Sequence, residues 1–328
     1  MVILTNEDGN EVRMLNPQSI DFDLNETRDF EMVLNVNEWS SEFDYGNRIF
    51  IPNSEYGGLI GEVETNTADD TVKVRGYCFR GILSKHIIEP PVNSDYRTIS
   101  GELNSVISTL TADLSPLFKT SSENTEISVT NFQFDRYCTL LDGLVKLLKS
   151  KNYKLQIKYV QQEQGLSGYV ELSAVPITDY SNDIQFSQDN RINFTFNNKK
   201  NGVNHLICLG SGELKDRNVV NLYVNQNGNI GTTQYFKGLD EISEIYENTS
   251  ASTAELKESG TEKLQELMNS KTFKMDVSSL DIDIEIGDIV GGRDYITGFS
   301  MSTPITNKIY TLKDGNVSIE YKIEGDDV

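Results

Sequence analysis

The chain has 328 residues, which is enough for two or three compact units with buried cores. Hydrophobic residues make up 37% of the sequence, and 29 Lys and Arg stand against 50 Asp and Glu, a formal net charge of -21. Nucleic-acid recognition uses clusters of basic side chains, so this balance disfavours a sequence-specific nucleic-acid reader. The composition predicts a folded protein with a solvated acidic surface.

The cysteines and the apolar pattern give expectations about compartment and membrane. Cys78, Cys138 and Cys208 are odd in number and form no CxxC pair, so neither a disulfide framework nor a zinc site is indicated. The first residues lack a basic segment followed by a long apolar one, and no run of about 18 apolar residues occurs. We expect a protein made in a reducing cytoplasm, without stable membrane insertion, whose cysteines are small apolar fillers.

Residues 1–92 are predicted to form a first β-barrel-like domain. A hairpin is expected from Val2 to Leu15, with its turn at Asn6–Asn10. Short alternating runs separated by turn residues predict further antiparallel strands at Phe30–Val36, Arg48–Ile51, Leu59–Glu64 and Thr71–Tyr77.

Residues 93–188 are predicted to form a small α+β domain. Apolar residues at helical spacing predict one helix over Leu103–Leu114, with Ser100 as its cap, and a second over Arg136–Lys151, with Asp135 as its cap. Alternating segments predict strands at Glu126–Val129, Lys154–Tyr159 and Tyr169–Ala174.

Residues 189–238 and 272–328 are predicted to form a second β-barrel-like domain, interrupted by a helical insertion at 239–271. Hairpin turns are expected at Asn225–Asn229 and at Asp314–Gly315. Ser252 and Glu255 have the spacing of a capping box at the start of the inserted helix. The fold class is therefore α+β, mostly β.

An internal echo suggests that the two β domains are similar. The segments Tyr45–Val74 and Ile286–Ile319 share an order of features: a Gly followed by Asn or Asp opens a strand, a Tyr and a Gly follow, and an acidic turn starts another strand. Antiparallel meanders often share such a pattern of turn residues between strands, so both a chance match and a true repeat remain possible.

Candidate catalytic residues are sparse. The sequence has two histidines, His86 and His205, so there are few candidates for the histidine of a Ser-His-Asp or Cys-His arrangement. His205 lies in an alternating strand, where a packed or surface histidine is the favoured interpretation. His86 follows a basic run and has no acidic residue near it in sequence to orient it.

Two further motifs are better explained by local structure than by catalysis or metal binding. Gly210–Gly212 lacks the G-x-S-x-G spacing of a nucleophile elbow and is interpreted as a turn. Asp281, Asp283 and Glu285 lie on one strand face and could bind Ca²⁺, but no EF-hand spacing accompanies them, so a solvated face is favoured. We predict no catalytic, metal-binding or cofactor-binding residues and no cofactor.

Three segments together resemble the hub family of phage tails and phage-tail-like particles, which has members among phages and prophages of Gram-positive bacteria. They are Val74–Pro91, which has the family's order of strand, Gly, short helix, Ile-Ile and Pro-Pro; Val203–Arg217; and Ile286–Asp294 together with Glu320–Lys322. Their order and spacing span nearly the whole chain.

The resemblance implies a non-enzymatic homotrimer whose chains each contribute two similar barrels to a pseudo-sixfold ring. Such a symmetry adaptor joins the hexameric tail tube to a trimeric spike or tip. Tape-measure protein and baseplate wedge or distal tail proteins are further implied partners. The implied location is the tail of a virion or bacteriocin-like particle, assembled in the bacterial cytoplasm. Since the chain ends at Val328, soon after its last predicted strand, we expect no lytic extension.

Two other functions remain open at this point. A tail-associated peptidoglycan hydrolase would require a pair of catalytic acids or a metal site, and among 50 acidic residues the sequence cannot single out such a pair. A β protein that binds cell-wall carbohydrate would normally expose a row of aromatic side chains, whereas Trp39 is the only tryptophan here.

Overall fold

A computed structural model describes residues 1–162, 167–181, 185–186, 194–278 and 284–326, which are mostly β-structure. The chain divides into two compact units: unit 1 is Met1–Asn193 with Met275–Glu324, and unit 2 is Phe194–Lys274 with Gly325–Val328. The helices are α1 (Phe79–Ser84), α2 (Leu103–Leu110), α3 (Leu140–Lys149) and α4 (Thr253–Leu267). The strands are β1 (Val2–Thr5), β2 (Glu11–Leu15), β3 (Ser19–Asp23), β4 (Asp29–Asn35), β5 (Arg48–Phe50), β6 (Gly57–Leu59), β7 (Glu62–Asn66), β8 (Thr71–Tyr77), β9 (Thr98–Glu102), β10 (Phe118–Thr120), β11 (Ser128–Gln133), β12 (Tyr153–Val160), β13 (Tyr169–Pro176), β14 (Gln185–Phe186), β15 (Phe194–Lys199), β16 (His205–Leu209), β17 (Val219–Val224), β18 (Ile230–Gly231), β19 (Ser243–Glu247), β20 (Ser270–Ser278), β21 (Ile289–Arg293), β22 (Ser300–Lys313) and β23 (Asn316–Asp326).

Two antiparallel sheets pack face to face in the first part of unit 1. One has the strand order β2-β1-β5-β6, and the other, called the main sheet below, includes the run β23-β22-β3-β4-β8-β7. Their shared core contains Leu4, Phe22, Phe30, Ile49 and Val74. The predicted hairpin between β1 and β2 is confirmed, since Val2 pairs with Leu15.

The strands β1 and β5 are buried on both faces. Val2, Leu4 and Ile49 belong to the core between the two sheets, whereas Ile3 and Phe50 belong to a second core on the opposite side. Successive side chains of a strand point to opposite faces, so an unbroken apolar run is the sequence that a doubly covered strand requires. These two strands therefore form the layer that joins the two cores of unit 1.

The second core belongs to an α+β layer made of α1, α2, α3 and the sheet β10-β13-β12. In this sheet β10 runs parallel to β13, and β12 runs antiparallel to it. Phe50 of β5 stacks on Tyr159 of β12 with ring centroids 3.7 Å apart. The sequence ranges predicted as a first β domain and an α+β domain thus lie within one compact unit.

The predicted helices exist, but their predicted caps are wrong. Glu102 caps α2 and Thr139 caps α3, in place of Ser100 and Asp135. Ser100 is not available as a cap because residues 98–102 form β9, which pairs with β11. The second helix starts late because Tyr137 has a left-handed backbone (φ 57°), which interrupts a right-handed helix.

The last strands of unit 1 extend the main sheet. β21 pairs with β22, and β22 and β23 form the predicted hairpin around Asp314–Gly315. Asp314 (φ 50°) and Gly315 (φ 78°) are both left-handed in this two-residue turn, whereas in the longer turn between β7 and β8 Asp70 (φ 51°) is the left-handed residue, so the two acidic turns of the internal echo differ in backbone conformation. Among the described residues the sheets are open rather than closed into barrels, and the arrangement of two barrels in a ring stays a prediction.

Unit 2 contains a four-stranded sheet with the order β18-β17-β16-β19 and the helix α4 on one of its faces. β16 pairs antiparallel with β17 and parallel with β19. The capping box of Ser252 and Glu255 at the start of α4 is confirmed. Within the predicted helical insertion 239–271, Ser243–Glu247 is a strand and the helix is limited to Thr253–Leu267. None of the described helices combines the length and the apolarity needed to cross a bilayer.

Replacing Phe50 by Ala tests the doubly buried layer. Phe50 is fully buried, so Phe50→Ala should lower the free energy of unfolding by about 3–5 kcal/mol, measured by chemical denaturation. The exposed Val317 is a matched control, since Val317→Ala should change the same quantity by less than about 0.5 kcal/mol. Equal denaturation midpoints for the two variants would show that β5 does not hold the cores together.

Candidate functional site

His205 lies in a closed polar cluster of unit 2. Its Nδ1 is 2.6 Å from Oε1 of Glu241 and its Nε2 is 2.9 Å from Oδ1 of Asn221. The ring stacks on Tyr223 with a centroid distance of 4.3 Å, and the hydrogen bond with His205 lowers the pKa of Glu241. Both ring nitrogens have partners within the sheet, an arrangement that fixes the ring and suits a structural histidine.

His86 and the Gly210–Gly212 segment also occupy positions that suit a structural rather than a catalytic role. His86 is exposed after α1, and its carbonyl accepts a hydrogen bond from the Leu140 amide at 2.7 Å. Gly210–Gly212 forms the predicted turn, where Ser211 Oγ accepts a hydrogen bond from Asn218 Nδ2 at 2.9 Å and Gly212 has φ 98°. Among the described hydrogen bonds of the Ser211 hydroxyl, none is with a side chain that could act as an acid or a base.

The three cysteines are free thiols. Cys78 and Cys208 are buried, as expected of small apolar fillers. Cys78 also caps α1, because its Sγ accepts a hydrogen bond from the Gly81 amide at 3.4 Å. Burial raises the pKa of Cys78 to about 12, so its thiol stays protonated at neutral pH.

The predicted acidic strand face is described only in part. Asp281 and Asp283 lie outside the described residues, whereas Glu285 accepts hydrogen bonds from Gln156 and from Lys154, each at 2.7 Å. Within the described part of the chain, no group of three or more His, Cys, Asp or Glu side chains is placed to hold a metal ion.

A buried ion cluster joins the C-terminal strands of unit 1 to its α+β layer. Lys154 on β12 lies 2.7 Å from a carboxylate oxygen of Asp288 as well as from Glu285. Asp288 is 2% exposed, and it also accepts hydrogen bonds from the amides of Thr178 and Glu285. Burial acts to raise the pKa of Glu285, but hydrogen bonding and charge attraction from Lys154 outweigh it and lower that pKa. The alternating sequence of β12 gave no sign of this buried lysine.

A cavity of about 610 Å³ in unit 1 lies beside Arg48. The guanidinium is buried and donates hydrogen bonds to the carbonyls of Gly168 at 2.8 Å and Glu7 at 2.6 Å. Glu7, Asp8, Asp113 and Lys119 also line the cavity, which therefore carries charges of both signs. Arg48 thus holds the β1–β2 turn against the chain just before β13.

One face of the main sheet carries a row of charged side chains. Pairing of strands β3, β4, β8 and β7 places Asp21, Glu31, Arg75 and Glu62 side by side. Arg75 lies 2.6 Å from Glu31, 2.8 Å from Glu62 and 2.7 Å from Glu64, and these hydrogen bonds, that of Glu31 first, raise its pKa. One arginine therefore ties three strands together across this face.

Asp21 stands at the acidic end of this row. Its partial burial and the nearby charges of Glu31, Asp29 and Asp23 raise its pKa to about 6, against a weaker opposing effect of Lys73. A raised carboxyl pKa means that ionised Asp21 is less favourable in the folded state than in the unfolded one.

Strand β7 forms an edge of the main sheet. Among the described strands it pairs with β8 only, and most of its side chains are exposed. Unpaired backbone groups on such an edge can receive a strand from another chain. Because Arg75 fixes Glu62 and Glu64, the edge is held in a defined conformation. It is the surface on which the predicted strand addition can be tested.

The comparisons by sequence give no match. No model of a known protein family matches this chain. A search of curated proteins likewise finds no relative.

The comparison with solved structures gives matches over almost the full length. The tail protein from Neisseria meningitidis MC58 is 13% identical with a TM-score of 0.50, and the match covers 99% of this chain and 96% of that one. The prophage MuSo2 43 kDa tail protein from Shewanella oneidensis is 11% identical with a TM-score of 0.52, over 98% and 97% of the two chains. A chain of the phage P2 baseplate in its activated conformation is 10% identical with a TM-score of 0.52, over 98% of each chain.

The chain has the fold of phage tail proteins. The resemblance predicted from its sequence is confirmed at the level of fold, and the tail proteins it matches are of nearly the same length as this chain.

One close backbone approach explains why the Val74–Pro91 segment has a glycine at Gly76. A Cβ on Gly76 would lie 1.8 Å from the Leu59 carbonyl, so only glycine fits there.

Removing the amine of the buried ion cluster should destabilise unit 1. Lys154→Met leaves the Asp288 carboxylate buried without its cation, so the free energy of unfolding should fall by about 3 kcal/mol in chemical denaturation. The Lys146–Asp135 pair is more than half exposed, so Lys146→Met should cost less than about 1 kcal/mol. A Lys154→Met variant as stable as the Lys146→Met control would contradict this assignment.

Replacing Asp21 by Asn should change how stability depends on pH. The unfolded carboxyl ionises first as the pH rises, so the favourable contribution of protonated Asp21 is full below about pH 4 and is lost by about pH 6. Asp21→Asn should therefore raise the unfolding free energy at pH 7 by roughly 1 kcal/mol, allowing for solvent screening, and change it little near pH 4.

Thermal melts of Asp21→Asn at both pH values check this, with Asp95→Asn at an exposed position as the control. A gain that is the same at both pH values would show that the effect does not come from ionisation of Asp21.

Proposed function

We propose that this chain is the structural hub of a phage tail or tail-like particle, a trimeric pseudo-sixfold ring that joins the hexameric tail tube to a trimeric spike or tip. The observation that supports it most is the fold match over 98–99% of this chain and 96–98% of phage tail proteins. A match of this extent concerns the whole arrangement of elements rather than one common β motif.

The ring would close through sheet edges. Three chains with two similar β domains each would present six near-equivalent modules, which satisfies sixfold symmetry on one side and threefold symmetry on the other. The edge at β7 is the place in unit 1 where we expect strand addition by a neighbouring copy.

The acidic surface suits a passage for DNA or a tape-measure protein. With a formal charge of -21 on each chain, a lumen lined by such surfaces would repel the DNA backbone and let it pass without sticking. The other proposed partners are the tail tube protein, the spike or tip protein, and wedge or distal tail proteins. We place the chain in the particle's tail after assembly in the bacterial cytoplasm, and we assign it no enzymatic activity.

Light scattering on the purified full chain tests the proposed trimer. We expect a species of three times the chain mass of 36.9 kDa that also binds purified tail tube protein. A chain that stays monomeric at every concentration and binds neither tube nor spike protein would contradict the hub function.

A zymogram on purified bacterial cell walls tests the absence of lytic activity. We expect no cleared band. Clearing that a single acidic substitution abolishes would instead make the chain a tail-associated hydrolase.

A further inference from the structure

The sheet of unit 2 has one covered face and one open face. Leu206, Cys208, Leu222 and Val224 point towards α4 and are buried. The opposite face, called the open face below, is not covered by any described element of unit 2. Its residues are Tyr223, His205 and Ser243 in one row, Asn221, Ile207 and Ile245 in the next, and Val219, Leu209 and Glu247 in the third.

The open face is apolar at its centre. Ile245 is 60% exposed and Val219 is 49% exposed, and Ile207 and Leu209 lie between them on β16. Branched aliphatic side chains on three adjacent strands form a continuous surface, unlike single apolar residues scattered over a protein.

The polar groups around this centre have partners within the same unit. Glu241 is bound by His205, and Glu247 lies 3.4 Å from Arg217. His205 also bonds Asn221, and its side chain is only 12% exposed although it lies on the open face. A partner can therefore cover the face without supplying charges of its own, and the polar groups would not be left unpaired.

Charge is distributed unevenly between the two units. Unit 2, which is residues 194–274 with 325–328, contains 9 of the 29 basic and 12 of the 50 acidic residues, a formal charge of -3, so unit 1 carries -18. Copies of this chain that associate must bring these acidic parts together, and their repulsion opposes association. Unit 2 carries the smaller net charge for its size, so an apolar contact between copies meets less electrostatic repulsion there than in unit 1.

We infer that the open face of unit 2 is a contact between copies of this chain, with the second copy as its occupant. This inference rests on the proposed trimer and adds to the strand addition at β7 a hydrophobic contact that offsets the repulsion between acidic surfaces. A face whose polar groups already have partners within unit 2 is compatible with a copy of the same protein. A basic partner would instead be drawn to the acidic remainder of the chain.

Ile245→Asp tests the contact in the full chain. The substitution places a charge within the apolar part of the open face, so the dissociation constant of the oligomer, measured by light scattering over a concentration series, should rise at least about tenfold. Val219→Asp on β17, at the other side of β16, should have the same effect. Leu239→Asp is the matched control, since Leu239 is fully exposed in unit 2 and lies outside the sheet, and it should leave the oligomer unchanged.

Circular dichroism and thermal melts establish that the variants fold, as expected for substitutions at exposed positions. A folded Ile245→Asp oligomer as tight as wild type would overturn this inference and leave the hub function standing. Loss of tube or spike binding by Ile245→Asp, with self-association unchanged, would assign the face to that other protein and also overturn it. A wild-type chain without any self-association would remove both the contact and the proposed ring.

Discussion

The burial of β1 and β5 on both faces is the constraint on which unit 1 depends. One side of this two-stranded layer completes the core between the antiparallel sheets, and the other completes the core of the α+β layer. The stacking of Phe50 on Tyr159 and the hydrogen bonds of Arg48 fix the second side. The main sheet, with its charged face and its edge strand β7, therefore packs on a layer that is itself buried between two cores.

Net charge is distributed unevenly between the two units of the chain. Most of the net negative charge lies in unit 1, where Arg75 and Lys154 each pair with more than one carboxylate. Unit 2 has a formal charge of -3 and an apolar open face. In the proposed ring, acidic surfaces would face the passage while directional strand pairing and apolar contact hold the copies together. In that ring, this division would let a strongly charged chain associate with itself.

Much of this fold follows from local sequence patterns. The β1–β2 hairpin, the β22–β23 hairpin and the capping box of α4 were predictable because each depends on residues close in sequence. The caps of α2 and α3 were not, because pairing of β9 with β11 and the left-handed Tyr137 decide where those helices start. The buried Lys154–Asp288 pair joins residues far apart in sequence, and an alternating strand gives no sign that its lysine is buried.

Electron microscopy of the purified chain, alone and bound to tail tube protein, tests the proposed ring most directly. The ring should give top views of a threefold annulus with six similar lobes and a central opening. Particles that lack an opening, or that average to any symmetry other than threefold, would contradict it.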